Sequence, residues 1–278
     1  MIINWFPGHM NKALKMMEKE VELVDLVIYV LDSRAPFSCL NPSFVSLIKK
    51  KKIIYALNKA DLVDIKDLEK LKQEFTTENS ACITLNSTTS GSSKIVKELM
   101  KKLLAGKLEK NKAKGINLPL RAMVIGVPNS GKSTLINNLC GEARAITGNK
   151  PGVTKGKQWV KLIDGYEILD TPGSLWPNLE DQAKAKHLAY IGSIKDDVLI
   201  VEDLALDFIA ELMQKYPLAL EERYSIKIEE QDEPINVFQK ICTARKFLLK
   251  RNEPDWERCA KTVLDDFRKG RLGKIYLD

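Results

Sequence analysis

The octapeptide GVPNSGKS, from Gly126 to Ser133, decides the fold of this chain because it joins an apolar run to a helical pattern. Glycines at this spacing let backbone N–H groups turn inward around phosphate oxygens without obstruction by a Cβ atom. Lys132 can then reach the outer phosphates, and the Ser133 hydroxyl can bind Mg²⁺. The stretch predicts a nucleotide-phosphate loop whose contacting residues are Asn129, Ser130, Gly131, Lys132, Ser133 and Thr134.

Short apolar runs on both sides of this loop predict buried strands. They lie at Leu26–Leu31, Ile53–Leu57, Cys82–Leu85, Met123–Val127, Gln158–Ile163 and Tyr166–Leu169, the last two flanking a hairpin signal at Asp164-Gly165. Helical patterns separate them at Met10–Leu23, Asn41–Lys50, Ile65–Thr77, Lys94–Leu108 and Lys132–Leu139. This alternation predicts a doubly wound α/β fold with a mostly parallel sheet, which binds ligands at the carboxyl ends of its strands.

The character of the sequence changes near residue 180. Beyond it, helical patterns dominate, at Asp181–Ile191, Ala205–Tyr216, Pro234–Leu249 and Pro254–Lys269, and the run Val198–Val201 fits either a strand or a helix. We therefore expect a nucleotide-binding α/β domain over residues 1–180 and a small all-helical domain over residues 181–278.

A second motif, D-T-P-G from Asp170 to Gly173, follows the last predicted strand. A carboxylate here can hold Mg²⁺ through water, and the Gly173 N–H can bond to a γ-phosphate oxygen. The pattern D-x-x-G is common by accident and gains weight only because it follows a phosphate loop. Between the two motifs, Thr154 is a candidate second hydroxyl ligand of Mg²⁺, and the alternative is an ordinary turn residue.

A third motif, N-K-A-D from Asn58 to Asp61, follows the second predicted strand. Asp61 can accept hydrogen bonds from N1 and N2 of guanine, a pair of donors that adenine does not offer. Lys59 can lay its aliphatic stem on the base, and Asn58 can brace the loop. Asp61 could instead, or also, be the N-cap of the next helix. With the phosphate loop, the motif predicts GTP rather than ATP, with further base contacts from Asn86 and Ser87.

The order of these motifs is rotated. In an ordinary guanine-nucleotide switch the phosphate loop comes first, whereas here Asn58 precedes Gly126 along the chain. A permuted chain can rebuild the same sheet when the original termini lie close together. The lysine-rich stretch 101–114 is then expected to form the new connection.

Charge and composition restrict the partners and the compartment. The formal net charge of +7 divides into +9 over residues 1–180 and −2 over residues 181–278. Clustered cations fit a polyanion such as nucleic acid, and the alternative is a solvated lysine-rich surface. The five cysteines are scattered, no apolar run approaches the roughly 18 residues of a membrane span, and no secretory signal precedes the first helix. We expect a cytoplasmic protein with no membrane contact.

The rotated order, the segment WFPGHM at residues 5–10 and the segment DFRKGRLGKI at residues 266–275 resemble the circularly permuted GTPases. The likeness covers essentially the whole chain and is strongest to the family of ribosome biogenesis GTPase A. It implies slow GTP hydrolysis that the large (50S) ribosomal subunit accelerates during late assembly. It also implies binding in the GTP state, release on hydrolysis, a requirement for Mg²⁺, assistance by K⁺, and a monomer.

The resemblance also assigns two residues. Many GTPases orient the attacking water with a glutamine directly after D-x-x-G, but Ser174 stands there in this chain. His9 is the substitute that the resemblance suggests, and a surface or RNA-contacting role is its alternative. Asn129 matches the position whose side chain holds K⁺ in related GTPases.

Basic residues near the end of the chain are the predicted RNA contacts, because they can bind phosphates. Four of them are placed at the end of one predicted helix: Arg245, Lys246, Lys250 and Arg251. The other four are placed on the last predicted helix: Arg268, Lys269, Arg271 and Lys274. The nearby aromatic residues Phe247, Trp256 and Phe267 fall at apolar helical positions and are expected in the core.

Three other functions fit parts of the pattern. A signalling switch that binds a protein partner would share the nucleotide motifs. The permuted small-subunit factor would need an oligonucleotide-binding barrel, for which residues 1–25 leave no room, and no zinc-ligand cluster is seen. A P-loop kinase would not need N-K-A-D.

Overall fold

The computed structural model describes residues 2–3, 15–89, 91–116, 118–141, 158–162, 165–175 and 179–278. Its six-stranded sheet has the order β3-β2-β1-β4-β6-β5. The strands are β1 (Leu26–Asp32), β2 (Lys52–Asn58), β3 (Ser80–Thr84), β4 (Leu120–Ile125), β5 (Gln158–Lys161) and β6 (Tyr166–Asp170). All neighbouring strands are parallel except β5, which forms the predicted antiparallel hairpin with β6.

The central strand β1 is buried along its whole length, as an unbroken apolar run in a parallel sheet should be. Its alternate side chains enter two different cores. Val27, Tyr29 and Leu31 belong to the core on one face of the sheet. Leu26, Ile28 and Val30 belong to the core on the other face. Helices cover both faces, which confirms the doubly wound α/β fold.

Within the described residues, four helices connect the strands. On the face of Tyr29 lie α1 (Pro42–Ile48) and α2 (Ile65–Phe75), and on the opposite face lie α3 (Ser92–Ala113) and α4 (Lys132–Cys140). Residues 15–20 are also helical, and the beginning of the helix predicted at Met10–Leu23 lies outside the described residues.

The prediction that residues 101–114 form a connection is wrong. Residues up to Ala113 belong to α3, which packs on the sheet through Val96, Met100 and Leu104. Lysine is a good helix former, so a lysine-rich segment continues a helix readily. The link between α3 and β4 is therefore the short segment 114–119.

The last hundred residues are helical as predicted. They form α5 (Gln182–Tyr190), α6 (Val201–Lys215), α7 (Pro217–Tyr224), α8 (Pro234–Ala244) and α9 (Trp256–Arg268). Phe208 of α6 is fully buried between Tyr190 and Phe267, at ring-centroid distances of 4.7 and 4.8 Å. These helices share one continuous core with the Tyr29 face of the sheet. The division into domains at residue 180 stays a prediction.

Three helix boundaries differ from the prediction. The ambiguous run Val198–Val201 is not a strand. Val198 is the last residue of a 3₁₀ turn, Asp196–Val198, and Val201 is the first residue of α6. Pro217 begins the unpredicted helix α7, because proline at the first helical position loses no hydrogen bond. Helix α8 ends at Ala244 rather than Leu249, since Lys246 has a left-handed backbone (φ 55°).

The end of the chain returns to the sheet edge. The backbone N–H groups of Ile275 and Leu277 donate to the carbonyls of Leu62 and Arg34. The Asp278 carboxylate lies 3.0 Å from Nδ1 of His187, whose Nε2 lies 3.1 Å from Glu211. Burial alone would lower the pKa of His187, but the hydrogen bonds to Asp278 and Glu211 outweigh it and raise the pKa to about 9. Within the described ranges, no helix has the length and apolar character needed to cross a bilayer.

The contacts of His187 with Asp278 and Glu211 predict a pH dependence of stability. His187 has a pKa near 6.5 in the unfolded chain, so the folded protein binds the proton more tightly than the unfolded chain does. The bound proton therefore stabilises the fold fully below about pH 6.5, and this stabilisation is lost as the pH rises to about 9. We expect the free energy of unfolding to fall by roughly 3 kcal/mol more in the parent protein than in His187→Gln across this window. Urea unfolding at pH 6, 7.5 and 9 measures it, and equal pH profiles would contradict the prediction.

Candidate nucleotide site

The three sequence motifs meet at one edge of the sheet. They follow β2, β4 and β6, whose carboxyl ends point the same way because these strands are parallel. The segment Asn58–Asp61, the predicted guanine loop, contacts the phosphate loop directly, since Nδ2 of Asn58 donates to the carbonyl of Ser130 at 2.8 Å. Two segments written in reversed order along the chain thus become neighbours.

The phosphate loop has the left-handed backbone positions that its glycines predict. Gly126 and Gly131 have φ angles of 151° and 97°, and Asn129 has a φ angle of 61°. A Cβ at Gly126 would lie 2.4 Å from the carbonyl oxygen of Val30, and one at Gly131 would lie 2.0 Å from Nδ2 of Asn58. Ser133 and Thr134 lie half-buried in the first turn of α4.

Lys132 and Asp170 form the charged centre of the site. Lys132 folds back over the loop and donates to the carbonyl of Val127 at 2.8 Å. Burial lowers its pKa to about 8, against the opposing effect of Asp170. Burial also raises the pKa of Asp170 to about 6, although Lys132 opposes this. Both groups are held in charged forms that burial disfavours, so a bound phosphate or cation would stabilise them.

Unsatisfied polar atoms concentrate at this edge. Five buried side-chain polar atoms of the described residues have no hydrogen-bond partner, and three of them are Oγ of Ser87, Oγ of Ser130 and Oδ1 of Asp170. A buried polar atom without a partner is costly, and in native proteins such atoms commonly mark a ligand or ion site. The Asp170 carboxylate and the Ser133 hydroxyl are hard oxygen donors of the kind that Mg²⁺ prefers.

The D-T-P-G segment lies against the phosphate loop. Oγ1 of Thr171 donates to the carbonyl of Val124 at 2.7 Å and fixes the segment to the end of β4. A Cβ at Gly173 would lie 2.8 Å from Cα of Pro128 and 2.9 Å from Nζ of Lys132. Only glycine therefore fits between these two groups.

The guanine loop is built around Asn58 and Lys59. Oδ1 of Asn58 accepts from the Ser87 N–H at 2.9 Å, which brings the segment after β3 into the site. Lys59 has a left-handed backbone (φ 58°) and places Asp61 in an exposed 3₁₀ turn, Ala60–Leu62. The alternative that Asp61 caps the next helix is wrong, because Asp64 occupies the N-cap of α2.

The two residues after β3 behave differently. Nδ2 of Asn138, on α4, donates to the carbonyl of Ser87, so Ser87 is fixed from two sides. Oδ1 of Asn86 instead accepts from the N–H and hydroxyl of Thr88 at 2.9 and 2.6 Å. The structure therefore places Ser87 in contact with Asn58 and Asn138, whereas the side-chain oxygen of Asn86 is used within the turn that follows β3.

Sequence reasoning missed the contacts that the helical segment makes with the phosphate loop. Nδ2 of Asn129 donates to the Gly192 carbonyl at 2.6 Å, and the Ser193 hydroxyl donates to the Pro128 carbonyl at 2.7 Å. A Gly-Ser pair just after a helix carries no specific signal. It also missed Asp32, Ser33 and Arg34, although polar residues directly after a strand were a usable signal.

Two of the predicted site residues, the catalytic candidate His9 and the metal candidate Thr154, lie outside the described residues. Their predicted roles rest on the sequence and on the family resemblance.

The predicted RNA contacts separate into two groups. Arg245 is the C-cap of α8, Lys246 follows it, and Lys250 and Arg251 lie in a 3₁₀ turn, Lys250–Asn252; Lys246, Lys250 and Arg251 are exposed. Lys269, Arg271 and Lys274 follow α9, where their side chains pair with Asp265, Asp266 and Asp64.

The structure argues against two of these contacts. The Arg268 guanidinium binds Asp196 and the carbonyls of Ala189 and Tyr190, so it stabilises the protein itself. Arg245 donates to the Arg223 carbonyl and stacks on Tyr224, which leaves it half-buried. Phe267 is buried in the core as expected, and Phe247 and Trp256 are partly buried and pack against the same core.

Known proteins match this chain in sequence and in structure. A family model described as 50S ribosome-binding GTPase matches residues 121–241. Ribosome biogenesis GTPase A of Bacillus licheniformis is 37% identical over 276 residues, which cover 99% of this chain and 97% of that protein. The Thermotoga maritima protein of the same name is 32% identical and covers 98% of this chain and 93% of its own. The crystal structure of GNP-bound YlqF from T. maritima has a TM-score of 0.66 at 25% identity, covering 96% of this chain and 97% of that one.

The two ends of α4 provide a matched test of the loop contact. Gly131 and Gly141 both have left-handed backbones, but among the described residues a Cβ at Gly141 meets nothing within 4 Å. Gly141→Ala should lose about 1 kcal/mol of stability from backbone strain, and Gly131→Ala should lose more because its Cβ also displaces Asn58. Gly131→Ala should also lose at least about tenfold in GDP affinity, because Asn58 must move. Fluorescent-GDP titration measures the affinity, and equal affinities for the two variants would refute the role of the Asn58 contact.

Proposed function

The chain belongs to the family of ribosome biogenesis GTPase A, and we propose that it acts late in assembly of the large (50S) ribosomal subunit. It is a GTP-hydrolysing enzyme of ribosome biogenesis. In the proposed cycle it binds the precursor subunit in the GTP state and leaves after hydrolysis. The large subunit itself accelerates the otherwise slow reaction.

The contact between Asn58 and Ser130 carries the proposal. It joins the loop of Asp61, the proposed guanine ligand, to the loop of Lys132, the proposed phosphate ligand. One nucleotide can then bind both loops, with its base at Asp61 and its phosphates at Lys132. Gly173 lies against Lys132 and can donate its N–H to the γ-phosphate, so the loop can respond to hydrolysis.

Mg²⁺ fits the chemistry of the site, and GTPases generally use it. The Ser133 hydroxyl and the Asp170 carboxylate, whose Oδ1 is buried without a partner, would hold the ion together with Thr154. When bound, Mg²⁺ neutralises charge on the phosphate oxygens. We assign K⁺ to Asn129 from the family resemblance, as a second source of charge compensation.

The attacking water needs an orienting group other than glutamine. Ser174 follows the D-T-P-G motif and is fully buried, with its hydroxyl 3.5 Å from the Pro172 carbonyl. We propose His9 as the orienting group, because a neutral imidazole can accept a proton from water near neutral pH. The proposal for His9 rests on the family resemblance.

The helical segment, residues 181–278, is the proposed RNA-contacting domain. Its exposed Lys246, Lys250 and Arg251 share one loop and can bind RNA phosphates. The same segment contacts the phosphate loop through Gly192 and Ser193. Loss of the γ-phosphate would change the loop at this junction, and we propose that this change reduces the affinity for RNA.

The guanine assignment is tested by Asp61→Asn. An amide in place of the carboxylate no longer complements the N1 and N2 donors of guanine but can donate to the additional oxygen of xanthine. We expect the preference to shift from GTP to xanthosine triphosphate by about a hundredfold or more. Competition binding with both nucleotides measures it, and unchanged selectivity would overturn the assignment. Asp64→Asn, at the N-cap of α2, is the matched control.

The ribosomal assignment is tested by GTP turnover with purified subunits in potassium and in sodium buffers. We expect large subunits to raise the rate by at least about tenfold, and potassium to support a higher rate than sodium. Lys132→Ala is the hydrolysis-deficient control. Stimulation by small subunits alone would overturn the assignment, and indifference to both subunits would favour a signalling switch with a protein partner.

A further inference from the structure

The tripeptide Asp32-Ser33-Arg34, at the carboxyl end of β1, lies beside the guanine loop and is almost completely buried. The exposed fractions of its residues are 0%, 0% and 1%. Burial of two charged side chains together is costly unless both are paired with good geometry. The tripeptide contains no part of the three nucleotide motifs, so its burial requires another explanation.

Asp32 joins two cations. Arg34 donates to both carboxylate oxygens, from Nε at 2.9 Å and from Nη2 at 2.8 Å. Lys59 of the guanine loop donates to the same carboxylate from Nζ at 2.8 Å. Burial alone would raise the pKa of Asp32, but Arg34 and Lys59 outweigh it and hold the pKa well below its usual range.

Ser33 holds the backbone of the same loop. Its N–H and its hydroxyl both donate to the Asn58 carbonyl, at 2.9 and 2.7 Å. Lys59, which follows Asn58, adopts a left-handed backbone that is unfavourable for an L-residue. A strained conformation persists only where its surroundings fix it, and here Asp32 and Ser33 fix both the side chain and the preceding carbonyl.

Arg34 is itself fixed from the other side. Its Nη1 donates to the carbonyl of Phe267 at 2.8 Å, and its guanidinium lies 4.5 Å from the centre of the Phe267 ring. Its own carbonyl accepts from the Leu277 N–H. The last turn of α9 thus orients Arg34, Arg34 orients Asp32, and Asp32 orients Lys59.

We propose that Asp32 and Arg34 are positioning residues for guanine selectivity, which they control by holding Lys59 so that Asp61 faces the base. This inference rests on the proposed assignment of Asn58–Asp61 as the guanine loop. Neither residue touches the nucleotide. Their side-chain contacts reach the base end of the site through Lys59, whereas the phosphate loop is held from the helical segment by Gly192 and Ser193.

The ratio of GDP to inosine diphosphate affinity tests the proposal. Inosine lacks the 2-amino group that Asp61 is expected to bind, so the ratio reports whether Asp61 faces the base. We expect Arg34→Met to reduce this ratio by about tenfold or more, with a smaller change in the affinity for inosine diphosphate. Arg34→Lys, which keeps a cation beside Asp32, should restore part of the ratio.

Arg223→Met is the matched control. Arg223 also binds a buried carboxylate through two nitrogens, with both distances to Asp266 at 2.9 Å, but no contact joins it to the guanine loop within the described chain. It should lose stability without a change in the ratio. A purely structural role of Arg34 would instead weaken both nucleotides equally, and that outcome would overturn the inference.

Asp32→Asn is the second variant, because it nearly preserves shape and removes the charge that pairs with both Arg34 and Lys59. It should reduce the ratio in the same direction, and an unchanged ratio in this variant also overturns the inference. Asp61→Asn separates the two levels of the argument. If it leaves selectivity unchanged, the guanine-loop assignment fails. If it shifts selectivity while the Asp32 and Arg34 variants do not, only the positioning role fails.

Discussion

The side-chain amide of Asn58 is the contact on which the nucleotide site depends. It donates to the Ser130 carbonyl and accepts from the Ser87 N–H, so one buried group fixes the paths of three loops. Both partners are backbone atoms, and the contact therefore constrains the loops themselves rather than flexible side chains. The ends of parallel strands at one sheet edge are close whatever their order in the chain. The Asn58 amide joins the loops at these ends, so motifs in rotated order act as one site.

The helical segment is linked to both ends of that site. At the phosphate end, Gly192 and Ser193 bind the loop through Asn129 and Pro128. At the base end, Arg34 connects Asp32 to the last turn of α9. Changes in either loop can therefore reach the same helices. A continuous core under both parts makes such changes concerted, since close-packed interiors deform little.

The electrostatics of the phosphate end differ from those of the base end. Lys132 and Asp170 are buried charges whose pKa values burial shifts towards neutrality, to about 8 and about 6. The pKa of Asp32 is instead held below its usual range, because Arg34 and Lys59 pair with its carboxylate. The phosphate end is thus prepared for a charged ligand, whereas the base end is already neutralised and serves as a rigid support.

The sequence by itself determined the strand and helix alternation, the sheet class and the three motifs, because burial periodicity and glycine requirements are local. Tertiary structure alone decided which groups support the motifs. That Asp32 pairs with Lys59, that Arg34 reaches Phe267, and that Arg268 is used within the protein depend on contacts across long stretches of chain. Local patterns carry no record of such partners, since a charged residue after a strand looks the same whether it meets a ligand, RNA or another side chain.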